Sequence, residues 1–126
     1  MVVLDTHAIV WWTIAPERLS KLAGAAVRGA DQIGIAAISF WEVALLVRKQ
    51  KLALGMTVRE WADRTRMIPR VRTLALTPDI ALLADSLPMH DDPADRFIVA
   101  TASHYRTTLV SKDKLIRPLR VVRTVW

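Results

Sequence analysis

Short apolar segments alternate along this chain with segments of helical periodicity, and this alternation constrains the fold more than any other feature of the sequence. The apolar segments carry few polar residues, as is typical of strands buried on both faces of a parallel sheet. Helix-start signals stand between them, for example Thr77 before Pro78 and Asp92 before Pro93. We therefore predict an α/β fold in three layers, with a mostly parallel five-stranded sheet flanked by helices. The predicted strands are residues 1–4, 32–38, 72–76, 107–111 and 120–126.

The starts of two helices are read from single residues. Ser39 and Glu42 have the spacing of a capping box, so we predict that Ser39 caps the helix after the second strand. Pro16 suits the first turn of another helix, which we extend through the periodic stretch that follows. The predicted helices are residues 6–14, 16–30, 40–52, 57–67, 78–88 and 92–106.

Length and composition limit the class of protein. The chain has 126 residues, which favours one domain, residues 1–126. It has no cysteine, which excludes a disulfide framework, a thiolate zinc site and a cysteine nucleophile. No basic leader precedes the apolar N-terminus, and no apolar run approaches the roughly 20 residues of a membrane span. We therefore expect a soluble, cytoplasmic protein without a membrane partner. The formal net charge of +6 favours a polyanionic partner such as nucleic acid.

Four acidic residues are predicted to gather at one edge of the sheet. Asp5 ends the first strand, Glu42 lies in the first turn of the helix after the second strand, and Asp113 follows the fourth strand. In a parallel sheet these positions share the carboxyl edge, where sites form. Asp95 joins them if its helix starts on that side. Each acid also has a structural explanation, as a helix cap or as a favourable charge near a helix N-terminus.

The joint pattern points to a metal site. Four carboxylates in a partly desolvated pocket repel one another, and a divalent cation removes that repulsion. Ligand sets made only of oxygen favour Mg²⁺ or Mn²⁺ over zinc. On a basic protein, such a site suits hydrolysis of a phosphodiester, because the metal activates water and stabilises the charge that develops on phosphate.

Four segments resemble the successive motifs of PIN-domain ribonucleases, and most closely those of VapC toxins from toxin–antitoxin pairs. They read LDTHAIVWW, ISFWEVA, LPMHDDPADRFIVATA and TLVSKD, and the resemblance extends along essentially the whole chain. It implies a parallel five-stranded sheet, Mg²⁺- or Mn²⁺-dependent endonucleolytic cleavage of RNA, a homodimer and a VapB-like antitoxin partner. It also implies a catalytic, metal-binding quartet of Asp5, Glu42, Asp95 and Asp113.

Residues next to this quartet receive supporting roles. Asp92 matches a motif position and is interpreted mainly as a helix cap. His90 is interpreted as a hydrogen-bonding residue at the rim, because the expected metal is hard, and Arg96 as a salt-bridge partner of nearby acids. The resemblance implies that three small hydroxyl residues orient carboxylates or water. These are Thr6, Ser39 and Ser111.

The chain departs from the family pattern at two positions. Leu46 stands where relatives often have lysine, which removes a salt bridge or RNA contact there. Gln50 stands where relatives often have glycine, and it predicts a slightly different turn. Among the tryptophans, we predict Trp41 and Trp126 in the core, and one of Trp11 and Trp12 on the surface. The basic stretch 48–51 is a candidate phosphate rim.

Two other functions fit parts of the pattern. A PIN nuclease that processes RNA without an antitoxin would carry the same acids. A signalling receiver also combines an α/β sheet, clustered acids and Mg²⁺, but it needs an acceptor aspartate after its third strand. Here Asp79 falls inside a predicted helix, and Asp5 is the single acid at the end of the first strand. The sequence does not identify the RNA, although single-stranded loops are the physical expectation.

Overall fold

The computed structural model describes all 126 residues and contains one five-stranded sheet. Every strand pairing is parallel, and the strand order is β3-β2-β1-β4-β5, which confirms the predicted α/β class. The strands are β1 Val2–Leu4, β2 Ile33–Ala36, β3 Val71–Leu74, β4 Thr108–Val110 and β5 Thr124–Val125. The helices are α1 Thr6–Ile14, α2 Lys21–Gly29, α3 Ala37–Arg48, α4 Val58–Met67, α5 Pro78–Ser86 and α6 Pro93–His104. None of these helices has the length and apolar character needed to cross a bilayer.

Helices cover both faces of the sheet. Alternate residues of a strand point to opposite faces, so Val2 and Leu4 join one apolar cluster and Val3 joins the other. The first cluster includes buried side chains of α1, α2, α3 and α4, and the second includes those of α5 and α6. The molecule therefore has three layers, with its two largest cores on either side of β1.

The predicted capping box at Ser39 is wrong. Strand β2 ends at Ala36 and α3 begins at Ala37, with no side-chain cap. The segment from Ile33 to Ile38 is continuously apolar, and such a run does not mark where a buried strand gives way to a buried helix. Ser39 is consequently fully buried inside the first turn, and Glu42 lies in the second turn instead of the first.

Side-chain caps elsewhere agree with the sequence. Asp5, Thr77 and Asp92 each accept a hydrogen bond from a backbone amide three residues ahead, and Thr57 forms a full capping box with Glu60. The predicted helix over 16–30 is divided, since a short 3₁₀ turn over Pro16–Arg18 precedes α2, which Ser20 caps. The last strand is also much shorter than the predicted 120–126.

Gln50 ends α3 in the conformation that favours glycine. Its φ is 57°, in the left-handed region. The Gln50 amide donates to the Val47 carbonyl at 3.0 Å, and the Lys51 amide donates to the Leu46 carbonyl at 2.9 Å. These two bonds are the Schellman pattern, in which the left-handed residue is usually glycine. The departure from glycine therefore leaves the turn type intact, and the motif fixes where Lys51 leaves the helix.

The tryptophans divide differently from the prediction. Trp41 is 52% exposed, so its predicted place in the core is wrong. Trp11 is buried, and Trp12 and Trp126 are half-buried. Trp11 packs against Trp126 with ring centroids 5.5 Å apart. Trp41 lies on α3 one position before Glu42, and a helix that turns Glu42 inward turns its neighbour outward.

Candidate active site

Three acids lie where parallel strands end or just beyond. Asp5 directly follows β1 and caps α1, and its Oδ1 accepts a hydrogen bond of 2.8 Å from the Ala8 amide. Asp113 follows β4 by three residues, and its Oδ1 accepts a bond of 2.7 Å from the Leu115 amide. Glu42 reaches the same edge from the second turn of α3, the helix that leaves β2. Short backbone connections therefore fix both aspartates, while Glu42 is carried by a helix.

Asp95 reaches this edge from the first turn of α6. The Asp92 side chain caps that helix by accepting a bond of 3.1 Å from the Asp95 amide. The Asp95 carboxylate is held in turn by His90, whose Nε2 lies 2.8 Å from Asp95 Oδ2. The structure thus places His90 beside Asp95 at the rim of the site, and Asp92 at the helix start.

One cavity of about 530 Å³ collects these acids. All four residues of the predicted quartet line it, together with Asp92 and with three cationic or titratable residues that the sequence analysis did not single out. Those three are His7, Lys112 and Lys114, which are neighbours of the predicted residues Thr6 and Asp113 in the motifs DTH and KDK. Proximity in sequence to a predicted acid was the signal that could have found them.

The pKa of three carboxyl groups in this cavity is raised. Burial raises the pKa of Asp5, against the opposing effects of the Ser111 hydroxyl and the Ala8 amide. Burial, followed by the charge of Asp95, raises the pKa of Glu42 to about 7. Burial also raises the pKa of Asp95, which the hydrogen bond with His90 opposes. Loss of solvent outweighs hydrogen bonding at all three groups, as expected where carboxylates share a desolvated pocket.

The donor set fits a divalent cation. One carboxylate oxygen each from Glu42, Asp92 and Asp95 lie within 4.8 Å of one another. Glu42 Oε2 is buried and has no hydrogen-bond partner, and neither do the buried hydroxyls of Thr6 and Ser39. A buried carboxylate oxygen without a partner is costly unless a cation or a proton satisfies it. Hard oxygen ligands of this kind suit Mg²⁺ or Mn²⁺.

Arg96 forms one salt bridge with a nearby acid, as expected, but most of its contacts are with the backbone. Its guanidinium lies 3.9 Å from a carboxylate oxygen of the fully exposed Asp91. The same group donates to five backbone carbonyl oxygens at 2.7–3.1 Å. These carbonyls belong to Ala84, Asp85, Leu87, Met89 and His90. Arg96 therefore ties the end of α5 to the segment that precedes α6.

The predicted hydroxyl residues lie around the acids. Thr6, Ser39 and Ser111 are all buried. Ser111 Oγ accepts a bond of 3.1 Å from the Asp113 amide, so it helps to fix the turn that carries this acid. Thr6 lines the cavity next to Asp5. Ser39 lies one turn before Glu42 on α3 and does not line the cavity.

The raised pKa of Glu42 predicts how pH affects stability without metal. Its unfolded value is 4.5 and its folded value about 7, so the folded form binds this proton more tightly. The contribution of this group to the free energy of unfolding is greatest below the unfolded pKa of 4.5. It falls as pH rises toward and through the folded pKa of about 7. We expect metal-free protein to lose about 1–2 kcal/mol of unfolding free energy from this group between pH 5 and 8, after allowance for solvent screening.

Denaturant titration of Glu42→Gln across this pH range checks the prediction. The variant should show a flatter decline with pH than the parent, because it cannot ionise. Glu17→Gln, which changes an exposed carboxyl in the 3₁₀ turn, is the matched control and should retain the parent's decline. A Glu42→Gln variant with the parent's pH profile would show that this carboxyl is not desolvated.

Comparison with known proteins adds a family to this geometry. The family model described as the PIN domain matches residues 2–120. Ribonuclease VapC22 of Mycobacterium tuberculosis is 40% identical over 129 residues, which span 99% of this chain and 98% of that protein.

Solved structures share the fold. A toxin–antitoxin complex from Klebsiella pneumoniae contains a chain that superposes with a TM-score of 0.70 and 19% identity, covering 100% of this chain and 97% of that one. VapBC2 from Rickettsia felis, bound to a DNA fragment from its promoter, superposes with a TM-score of 0.71 and 16% identity. The superposition covers 100% of this chain and 99% of that one. From the family match and the near full-length identity, we conclude that the chain belongs to the PIN-domain family, as a ribonuclease toxin of the VapC type.

Proposed function

We propose that the acidic cavity is the catalytic centre and that it cleaves RNA phosphodiester bonds with Mg²⁺ or Mn²⁺. The observation that carries this proposal is the convergence of Asp5, Glu42, Asp92, Asp95 and Asp113 on one cavity. Three of these acids offer oxygens within 4.8 Å of one another, in a chain whose net charge is +6. Acids that are concentrated in one place on a basic protein support a bound cation and an anionic substrate.

The residues divide into proposed ligands and residues that position them. Asp5, Glu42, Asp95 and Asp113 would hold the ion, and Asp92 is close enough to Glu42 and Asp95 to join them. When bound, the ion supplies a water of lowered pKa and a positive charge beside the phosphate oxygens. Asp92 is added to the quartet as a proposed ligand because one of its carboxylate oxygens lies within 4.8 Å of oxygens of Glu42 and Asp95.

The surrounding side chains give each acid a defined orientation. The amides of Ala8 and Leu115 hold the carboxylates of Asp5 and Asp113, and the His90 imidazole holds that of Asp95. Fixed carboxylates do not have to reorganise when charge develops on the substrate, which is the main source of electrostatic catalysis. We propose that the Thr6 hydroxyl, which lies close enough to Glu42 to oppose the rise in the pKa of that carboxyl, orients a water molecule or a carboxylate.

RNA is the substrate class that this surface favours. Lys112 and Lys114 are exposed on either side of Asp113 and line the cavity, so the substrate phosphate would meet positive charge at its edge. Single-stranded RNA can bend into such a cavity, whereas a duplex holds its phosphates at a fixed spacing. An RNA substrate is consistent with the cytoplasmic location expected from the sequence.

A VapB-like antitoxin and a second copy of the chain are the proposed protein partners. The superposed structure from Klebsiella pneumoniae is described as a toxin–antitoxin complex, and the one from Rickettsia felis as VapBC2 on promoter DNA; this supports an antitoxin for the present chain. Several large apolar side chains are also exposed, which suits protein contacts. They include Leu22, Trp41, Met67, Leu82 and Leu115.

The alternative functions predict different observations. An RNA-processing nuclease without an antitoxin shares the catalytic site, and an adjacent gene for a small DNA-binding protein would distinguish the toxin from it. The receiver is disfavoured by the fold, because receivers have the strand order 2-1-3-4-5 whereas this sheet has 3-2-1-4-5. Asp79, the candidate phosphate acceptor, lies inside α5.

Metal removal tests the proposed function. Purified protein should cleave single-stranded RNA in Mg²⁺ or Mn²⁺, lose this activity in EDTA and regain it when the ion is restored. Binding of Mn²⁺ should also raise the melting temperature, because the ion relieves repulsion in the folded state only. Full RNA cleavage in EDTA, or no effect of Mn²⁺ on melting, would contradict the proposal.

A further inference from the structure

A second cavity adjoins the acidic one. It has a volume of about 360 Å³ and shares Thr6, His7 and Lys112 with its neighbour. Its volume lies within the roughly 300–1,000 Å³ typical of small-molecule sites. It contains no carboxylate, so it differs sharply in charge from the acidic cavity beside it.

The rim of this second cavity is cationic. Arg18, Lys51 and Lys112 line it, all three are exposed, and none forms a salt bridge. The Arg18 guanidinium carbon lies 4.5 Å from the Trp11 ring centroid, and Lys112 Nζ lies 4.2 Å from it. Two like charges held at one indole ring repel each other, although each is attracted to the ring. A bound anion would remove that repulsion.

The floor of the cavity is apolar. Val10, Leu46 and Leu52 line it together with Trp11, and Leu46 is the residue that stands where relatives often have lysine. Trp11 itself is buried, so the ring orients the cations above it and does not offer a free face for a base. A cationic rim over an apolar floor fits a nucleotide, whose phosphate is anionic and whose sugar and base are less polar.

We propose that this second cavity binds the RNA nucleotide next to the one that is cleaved, with Arg18, Lys51 and Lys112 around its phosphate. The proposal rests on the proposed RNA cleavage in the acidic cavity, which the shared residues His7 and Lys112 connect to the second one. The Schellman turn at Gln50 holds the backbone of Lys51 at the rim. Arg18 and Lys112 at the Trp11 ring, together with Lys51 at the turn, therefore form a preformed anion site.

The test compares two double variants that remove the same charge. Arg18→Ala/Lys51→Ala changes two residues that line only the second cavity, and Arg117→Ala/Arg120→Ala changes two exposed cations that line neither cavity. Binding of a short fluorescent single-stranded RNA is measured by anisotropy in EDTA over a series of salt concentrations. The first variant should raise Kd at least about tenfold and lower the salt slope by about 0.7 for each lost phosphate contact, and the control should change little.

Cleavage kinetics provide a second readout. With Mn²⁺, Arg18→Ala/Lys51→Ala should raise KM and leave kcat within about twofold, because the bond is broken in the other cavity. The charge-preserving Arg18→Lys/Lys51→Arg should retain most of the RNA affinity. Equal weakening of RNA binding in both alanine variants would overturn the subsite, since it would indicate general attraction by positive charge.

Other outcomes separate this subsite from the catalytic proposal. Parent protein that cleaves RNA while Arg18→Ala/Lys51→Ala binds RNA as the parent does would overturn the subsite alone. Parent protein that binds RNA through Arg18 and Lys51 but cleaves none with Mn²⁺ would support the subsite and contradict the catalytic proposal. If Arg18→Ala/Lys51→Ala instead lost binding to a purified VapB-like antitoxin and bound RNA as the parent does, the RNA subsite would be overturned. The cavity would then be assigned to a protein partner.

Discussion

Asp95→Asn should give a folded protein that cleaves RNA at least about 10³-fold more slowly. The variant loses a proposed charged metal ligand, and stabilisation of the transition state by a bound metal ion is worth several kcal/mol. Asp95 is central to the electrostatics of the site. Its charge raises the pKa of both Glu42 and Asp5, and its own carboxylate is bonded to His90. Asparagine keeps the shape of the side chain and one oxygen, so the start of α6 should persist.

Asp92→Asn is the matched control, because the two residues lie one turn apart at the start of one helix. Asp92 Oδ1 caps α6 through the Asp95 amide, and asparagine caps a helix about as well as aspartate. Asp92 is exposed, and it belongs to the group of three oxygens with Glu42 and Asp95. We therefore expect a loss of about tenfold or less, recovered at higher Mn²⁺, because a neutral amide oxygen remains a weak ligand.

Toxicity on induction, RNA cleavage by purified protein and circular dichroism distinguish three interpretations. If both acids serve only the helix start, the two variants should show small and similar losses. If both are indispensable ligands, both should be inactive even at high Mn²⁺. A folded Asp95→Asn variant that cleaves RNA at the parent's rate would show that the quartet is wrongly assigned.

The sequence predicted the class of fold because several helix starts carry their own signal. Asp5, Thr77 and Asp92 follow or precede recognisable apolar runs, and all three cap the helices expected of them. Parallel pairing then brings Asp5, Glu42 and Asp113 to one edge of the sheet. Their proximity in the acidic cavity therefore follows from the sheet topology. The identity of these acids as metal ligands remains a prediction.

What the sequence could not provide depends on three-dimensional contacts. Ser39 and Thr57 both precede a glutamate by three residues, yet only Thr57 forms the capping box. Thr57 follows a bend at Gly55, whereas Ser39 sits in an apolar run whose strand ends early. Likewise, nothing local indicates that Arg18 and Lys112 meet at Trp11, because the two cations lie 94 positions apart in sequence.

Arg96 shows the same limit and leads to the second large expected effect. Its neighbours in sequence are acids, which suggested a salt bridge, but its five acceptors are carbonyl oxygens from the end of α5 and the following segment. The carbonyls at a helix end have no partner within the helix. One planar guanidinium with five donors satisfies them together, in a way that lysine, a compact cation with three donors, cannot reproduce.

Arg96→Ala should therefore lower the free energy of unfolding by about 3–5 kcal/mol, because several buried or half-buried acceptors lose a charged partner at once. Arg96→Lys should recover only part of this loss. Arg64→Ala, which removes an exposed arginine of α4 that forms no hydrogen bond or salt bridge within the protein, is the control and should stay within about 0.5 kcal/mol of the parent. Denaturant unfolding measures all three.

Arg96→Ala should also disturb the catalytic site. The segment that Arg96 holds contains Met89 and His90, and His90 in turn holds the Asp95 carboxylate. When the guanidinium is absent, His90 should lose its fixed position, so the surviving folded Arg96→Ala protein should need more Mn²⁺ for half-maximal cleavage. Full stability in Arg96→Ala would show that water replaces the five bonds without cost. A destabilised Arg96→Ala variant with the parent's Mn²⁺ requirement would show that this arginine supports the fold but does not position the site.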